Sequence, residues 1–217
     1  MLLESKNITV ARRNAPLLHL ADIQLQPKGR VLVLGPSGSG KTTLLSVLAG
    51  LLSPTTGRVL FDGNDIYALT PRRRDHLRGQ SFGFVFQALH LLPALNLRQN
   101  IALAGDMAGL PRDEKRLDRL LEQLGLSAKA HRKPEALSQG EQQRAAIARA
   151  VLNRPKIIIA DEPTSALDDA NAAAVLKLLD DQARESGAAL LIATHDNRII
   201  PQFKDIIRLT TAKKEAA

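Results

Sequence analysis

No cysteine occurs anywhere in the 217 residues, so disulfides and thiolate metal sites are excluded, and a reducing compartment suits the chain. Tryptophan is absent, tyrosine occurs once, and aromatics make up only 3% of the residues. The basic groups lie in separate patches, chiefly Arg72-Arg73-Arg74 and Lys129 to Lys133, with no rings between them. That pattern argues against stacking on bases, and nucleic acid is not an expected partner. Long apolar runs are missing too, and none approaches the roughly 20 residues of a membrane-spanning helix. A protein soluble by itself is expected, and Met1-Leu2-Leu3-Glu4-Ser5 shows no charged-then-apolar leader. The five histidines have no metal-ligand spacing. What the chain does have is positive charge, net +8, which favours an anionic partner such as a nucleotide or a lipid surface. Its 44% hydrophobic content is enough for one large domain, or for a core with a smaller subdomain.

The most informative stretch is Gly35-Pro36-Ser37-Gly38-Ser39-Gly40-Lys41-Thr42-Thr43. It follows the apolar run Val31 to Leu34 and precedes the helix-like Leu44 to Leu48, so the pattern G-x-x-x-x-G-K-[ST] stands in the strand-to-helix context that gives it meaning. Its glycines let successive N–H groups turn inward as a nest for phosphate oxygens, and the helix that follows adds its positive end. Lys41 is expected to reach the β- and γ-phosphates, and the Thr42 hydroxyl to ligate Mg²⁺.

Before residue 26 the pattern is β-like, and a strand is predicted over Arg30–Leu34. Thr70 and Pro71 open a short helix. Phe82, Phe84 and Phe86 alternate in a strand ending at Gln87, which predicts one aromatic row directed into the core. The apolar Leu89-His90-Leu91-Leu92-Pro93 reads as a loop that is either buried or waiting for a partner. Helices are predicted over 96–108 and Pro111–Leu124. Ser138 and Glu141 form a capping box at the head of a further helix. The run Ile157 to Ala160 reads as a fully covered parallel strand ending at Asp161-Glu162. A helix capped by Asp168 or Asp169 follows, then a strand over Ala188–Ala193 ending at Thr194-His195, and an edge strand over Asp205–Leu209. Alternating strands and helices imply an α/β fold whose mostly parallel sheet binds ligands at the carboxyl ends of its strands. Asp161 is then the candidate metal partner with Thr42. Glu162 is the candidate base or orienting group for an attacking water, while Gln87 can offer an amide oxygen to the metal and His195 a hydrogen bond to the γ-phosphate.

These residues, with Leu137-Ser138-Gln139-Gly140-Glu141, Ile157 to Pro163 and Ser165-Ala166-Leu167-Asp168, resemble the ATP-binding subunits of ABC transporters over essentially the whole chain. The resemblance implies a single cassette over 1–217. Its phosphate-loop ATPase core with an antiparallel β part would span 1–87 and 155–217, and a helical subdomain about 88–154. It implies ATP and Mg²⁺ as cofactors, and two cassettes closing head to tail so that Ser138, Gln139 and Gly140 of one meet the ATP held by the other. Asp168 would lie at the seam, and the segment from Gln87 to Pro93 would meet an integral-membrane permease. A cytoplasmic protein, peripheral on the inner face of the membrane, is thereby implied. The short chain, with Gly-Phe-Val-Phe-Gln at 83–87 and Leu-Leu-Pro at 91–93, looks like the lipoprotein-release, macrolide-efflux and cell-division group. A module that switches a division-type complex without moving solute is the alternative. Two departures stand out: Gln139 replaces the usual glycine, and Val10-Ala11-Arg12-Arg13 lacks the usual ring for adenine. An arginine plane such as that of Arg12 can stack on a base in its stead. Weak base discrimination is the expected outcome, so GTP should support turnover at a rate comparable to ATP. A GTP rate far below the ATP rate overturns the Arg12 assignment.

Overall fold

The computed structural model describes residues 1–12, 15–165 and 167–210, and for residues 12, 15 and 16 the backbone only. Two kinds of strand build two sheets. The first sheet contains β1 (Leu3–Arg12), β2 (Ala15–His19) and β3 (Gln24–Leu25), and both β2 and β3 pair antiparallel with β1. β5 (Thr56–Phe61) lies on β1's other side and pairs in turn with β6 (Asn64–Asp65). The continuous apolar runs form the second sheet, whose strands are all parallel. Its order is β10 (Asp205–Arg208), β4 (Arg30–Leu34), β9 (Ala189–Thr194), β8 (Ile157–Asp161) and β7 (Phe82–Val85).

Every residue of β8 and β9 is buried, as a sheet covered on both faces requires. The period of two sorts them. Val31, Val33, Ile157, Ile159 and Leu191 join the core that contains α1 (Lys41–Leu48) and the antiparallel sheet. Leu32, Ile158, Ala160, Leu190 and Ile192 join the opposite core with α5 (Gln139–Val151) and α6 (Asp169–Ser186). A third apolar cluster gathers α3 (Leu97–Ala108), α4 (Glu114–Gln123) and the Ala145 and Ala148 face of α5. Thr70 caps α2 (Pro71–Ser81), Ser138 and Glu141 complete their capping box, and Asp168 caps α6. Among the described residues no helix is long and apolar enough to cross a membrane.

Three local expectations change. α4 starts at Glu114 instead of Pro111, because Asp113 accepts the Arg116 N–H and sets the cap there. β7 stops at Val85, so Phe86 and Gln87 lie beyond the ladder. The phenylalanines do form one row, with centroids 6.4 Å apart for Phe82–Phe84 and 5.3 Å for Phe84–Phe86. Only Phe82 is buried, however, and Phe84 and Phe86 are half-buried. The reason is that β7 is an edge strand: beside it runs a groove of about 630 Å³ between α2, α3 and α5, lined by Phe84, Phe86, His90, Met107 and Arg149.

The loop at this groove is held from below. Arg149 donates to the carbonyls of Leu89 and His90, each at 2.6 Å. The buried Asn100 side chain accepts the Leu92 N–H at 2.7 Å and donates to the carbonyls of Leu92, Leu95 and Asn96. Gly83 explains how close α5 lies to β7. A Cβ at that position would stand 2.2 Å from the Ala150 carbonyl oxygen and 3.0 Å from Pro155 Cγ. Gly83→Ala is therefore expected to cost ~1–3 kcal/mol by overpacking. Urea unfolding checks this as a lowered midpoint with an unchanged slope.

Candidate functional site

β4, β9 and β8 are neighbours and run parallel, so their carboxyl ends, and the loops that leave them, stand side by side. Backbone bonds continue the ladder past the strands: the Gly35 N–H donates to Thr194 O at 3.1 Å, and the Glu162 N–H to Ala193 O at 2.8 Å. The phosphate loop, Asp161-Glu162 and Thr194-His195 are thus brought to one place.

Gly40, at φ 95°, is the N-cap of α1, and no side chain caps the helix. Its first N–H groups thus remain available to an anion. Gly38, at φ 79°, has open space where a Cβ would point, and Pro36, Ser37 and Gly38 form the exposed crown of the loop. Lys41 is almost fully buried. Its ammonium donates to Gly35 O at 2.8 Å and Pro36 O at 3.0 Å, and pairs with Glu162 Oε1 at 3.1 Å. Thr43 is half-buried in the same first turn. The Thr42 hydroxyl donates to Asp161 Oδ2 at 2.7 Å.

Two buried oxygens here have no hydrogen-bond partner, Ser39 Oγ and Asp161 Oδ1. Buried polar atoms are rarely left so. Burial raises the Asp161 carboxyl above its ordinary range, and the negative Glu162 adds to this, while the Thr42 hydroxyl opposes it. A cation beside Asp161 would reverse that balance. Thr42 and Asp161 present the oxygen donors that a hard divalent cation takes, with one carboxylate oxygen still free, so the residues fit Mg²⁺. Among the described residues no group of three or more His, Cys, Asp or Glu could hold a metal by itself.

Glu162 sits at φ 50°, a backbone region that a non-glycine residue enters at a cost of about 1–3 kcal/mol and that gathers at functional sites. Burial works against its charge. Hydrogen bonds from His195, Thr194 and Lys41 outweigh that, and its carboxyl is held below the usual carboxylate range. The contacts are His195 Nδ1 to Oε1 at 2.9 Å, and the Thr194 hydroxyl to Oε2 at 2.7 Å. The His195 ring itself is half exposed. Thr194 was missed in the sequence, although a hydroxyl closing an otherwise apolar strand was a readable signal.

The remaining candidates stand apart from this cluster. Gln87 lies in a bend two residues past β7, exposed, and among the described residues no hydrogen bond joins its amide to the cluster. Ser138, Gln139 and Gly140 are exposed at the head of α5, and Asp168 is exposed at the head of α6. The Arg12 side chain lies outside the described residues. Gln143, one turn into α5, was also missed: its amide donates to Pro163 O at 3.5 Å and links that helix to the loop after Glu162.

Comparison with known proteins agrees with this geometry. A family profile described as ABC transporter matches residues 18–165. A lipoprotein-releasing system ATP-binding protein, LolD, from Oleidesulfovibrio alaskensis is 46% identical over 78% of this chain and 74% of its own length. The macrolide export ATP-binding/permease protein MacB of Marinobacter nauticus is 40% identical over 89% of the chain, which spans only 30% of MacB. Among solved structures, the dimeric ATP-binding cassette MJ0796 in a post-hydrolysis state with ADP and Pi has a TM-score of 0.85. It is 32% identical, with 98% of this chain and 97% of that one covered. The chain therefore belongs to the ABC transporter family, as one of its ATP-hydrolysing cassettes.

Proposed function

We propose that the chain works as one of a pair of identical cassettes that close on two ATP molecules and drive a separate membrane permease of the lipoprotein-release or efflux type. The observation that carries the paired reading is Gly140. It is the second residue of α5, and among the described residues a Cβ there would meet only Arg144 Nη1, at 3.7 Å. Nothing among the described residues asks for a glycine there. A phosphate brought by a second chain to the exposed turn of Ser138, Gln139 and Gly140 would, because only a bare backbone permits so close an approach.

In this reading the phosphate loop from Gly35 to Thr43 holds the β- and γ-phosphates. Their charge draws Lys41 from its own carbonyls and from Glu162. Glu162 Oε1 is thereby freed to orient or deprotonate water, and Thr194 keeps the carboxylate turned toward the nucleotide. His195 passes from Glu162 to the γ-phosphate. Thr42 and Asp161 would hold Mg²⁺, with the Gln87 amide oxygen as a further ligand, and the bound ion would supply charge neutralisation at the phosphates. Asp168 lies at the seam between chains, and Arg12 stacks on the base. The division into a core over 1–87 and 155–217 and a helical subdomain over about 88–154 belongs to the same reading. The groove beside β7 is the dock for a short cytoplasmic helix of the permease, because its open aromatic row and the exposed side chains of Met107 and Leu51 lie next to Gln87 to Pro93. A cytoplasmic position on the inner face of the membrane follows.

Glu162→Gln is expected to bind ATP with unchanged affinity, to lose about a hundredfold or more of turnover, and to elute as a dimer in ATP during size-exclusion chromatography. Wild-type turnover in that variant overturns the assignment. A tagged chain is expected to bring down an integral-membrane protein from detergent extracts of its own cells. The double variant Leu51→Asp with Met107→Asp should lose that capture while keeping its ATPase rate. Equal capture by both proteins moves the dock elsewhere.

A further inference from the structure

A run of hydrogen bonds leads from Glu162 and Thr194 to the head of α6 through Asp196 and Arg198, which have no role in the proposed function. The Thr194 hydroxyl that donates to Glu162 accepts the Asp196 N–H at 3.0 Å. Asp196 Oδ2 accepts from Thr164, fully buried in the turn between Glu162 and α6, at 2.9 Å. Arg198 closes on the same carboxylate as a fork, Nε to Oδ1 at 2.8 Å and Nη2 to Oδ2 at 2.7 Å. Its third nitrogen, Nη1, reaches Asp169 in the first turn of α6, next to Asp168. The fork holds the Asp196 carboxyl down to about 2 against partial burial.

The two ends of this bridge differ. The Asp196 side chain is 10% exposed and gripped by two parallel bonds, whereas that of Asp169 is 89% exposed. A bidentate, sheltered pair holds its geometry, while a solvated pair is screened and easily exchanged. Arg198 therefore has a firm end toward Glu162 and a releasable end at the place where the second chain is expected.

We propose that Arg198 is a positioning residue that transmits the seating of the second chain at Asp168-Asp169 to Glu162, through Asp196 and Thr194. Among the described residues its guanidinium bonds only Asp196 and Asp169. A chain arriving at the head of α6 displaces or tightens the Asp169 contact, the guanidinium carries Asp196 with it, and the Asp196 N–H shifts the hydroxyl that orients Glu162. The inference rests on the two-chain reading of the site.

The test is the steady-state ATPase of the full chain, measured against ATP and against protein concentration. Wild type is compared with Arg198→Ala, Arg198→Lys, Asp169→Ala and the Arg198→Ala/Asp169→Ala double variant. Arg198→Ala should lower kcat about tenfold with KM for ATP within about twofold, and should flatten the rise of specific activity with protein concentration. Arg198→Lys, which keeps the charge and loses the fork, should recover part of kcat. Asp169→Ala should flatten the same dependence with no change in melting temperature, and the double variant should be no worse than Arg198→Ala. Wild-type kcat and steepness in Arg198→Ala overturn the proposal. So does a loss confined to KM and melting temperature, or full additivity in the double variant. If wild type itself shows no dependence on protein concentration, the two-chain reading fails. If wild type and Arg198→Ala are equally steep, that reading stands and the bridge alone is wrong.

Discussion

The ion pair between Lys41 and Glu162 organises the centre of the molecule. It joins the first residue of α1 to the residue just past β8, at 3.1 Å and largely out of solvent. Removing one partner of such a pair would leave an uncompensated buried charge, so its two elements must stay in register. That requirement reaches outward through the sheet. β4 and β8 are held at the right separation only because β9 lies between them, and β9 ends in Thr194, the second residue that grips Glu162.

The site is strongly self-satisfied. Lys41 has two carbonyls and a carboxylate, Glu162 is held by three residues, Lys41, Thr194 and His195, and Thr42 has Asp161. Among the described residues, Ser39 Oγ and Asp161 Oδ1 are the exceptions, buried oxygens of the site with no partner.

Much of this was readable from residue order. The strand-loop-helix at 30–48, the capping box at 138–141 and the covered strand at 157–161 all appear as expected, because each is dictated by short-range chemistry: phosphate-loop glycines, a reciprocal cap and an unbroken apolar run. The start of α4 was misplaced because Pro111 and Asp113 are both good helix-opening residues, and the hydrogen bond that chose between them involves Asp113 alone. The aromatic row was correctly phased, and Phe82 does lie in the core, but Phe84 and Phe86 are only half-buried. Periodicity tells which side chains share a face and says nothing of whether another layer covers that face.

Sequence alone determined the kinds of element, the phosphate loop and the family resemblance, since these depend on residues close together along the chain. Tertiary structure decided which loops meet. The order β4-β9-β8 set Glu162 among Lys41, Thr194 and His195, left Ser138, Gly140 and Asp168 facing outward, and joined Arg198 to both Asp196 and Asp169. Those contacts join residues up to 121 positions apart, as between Lys41 and Glu162, and such pairings are fixed by strand adjacency and burial, which no local pattern encodes.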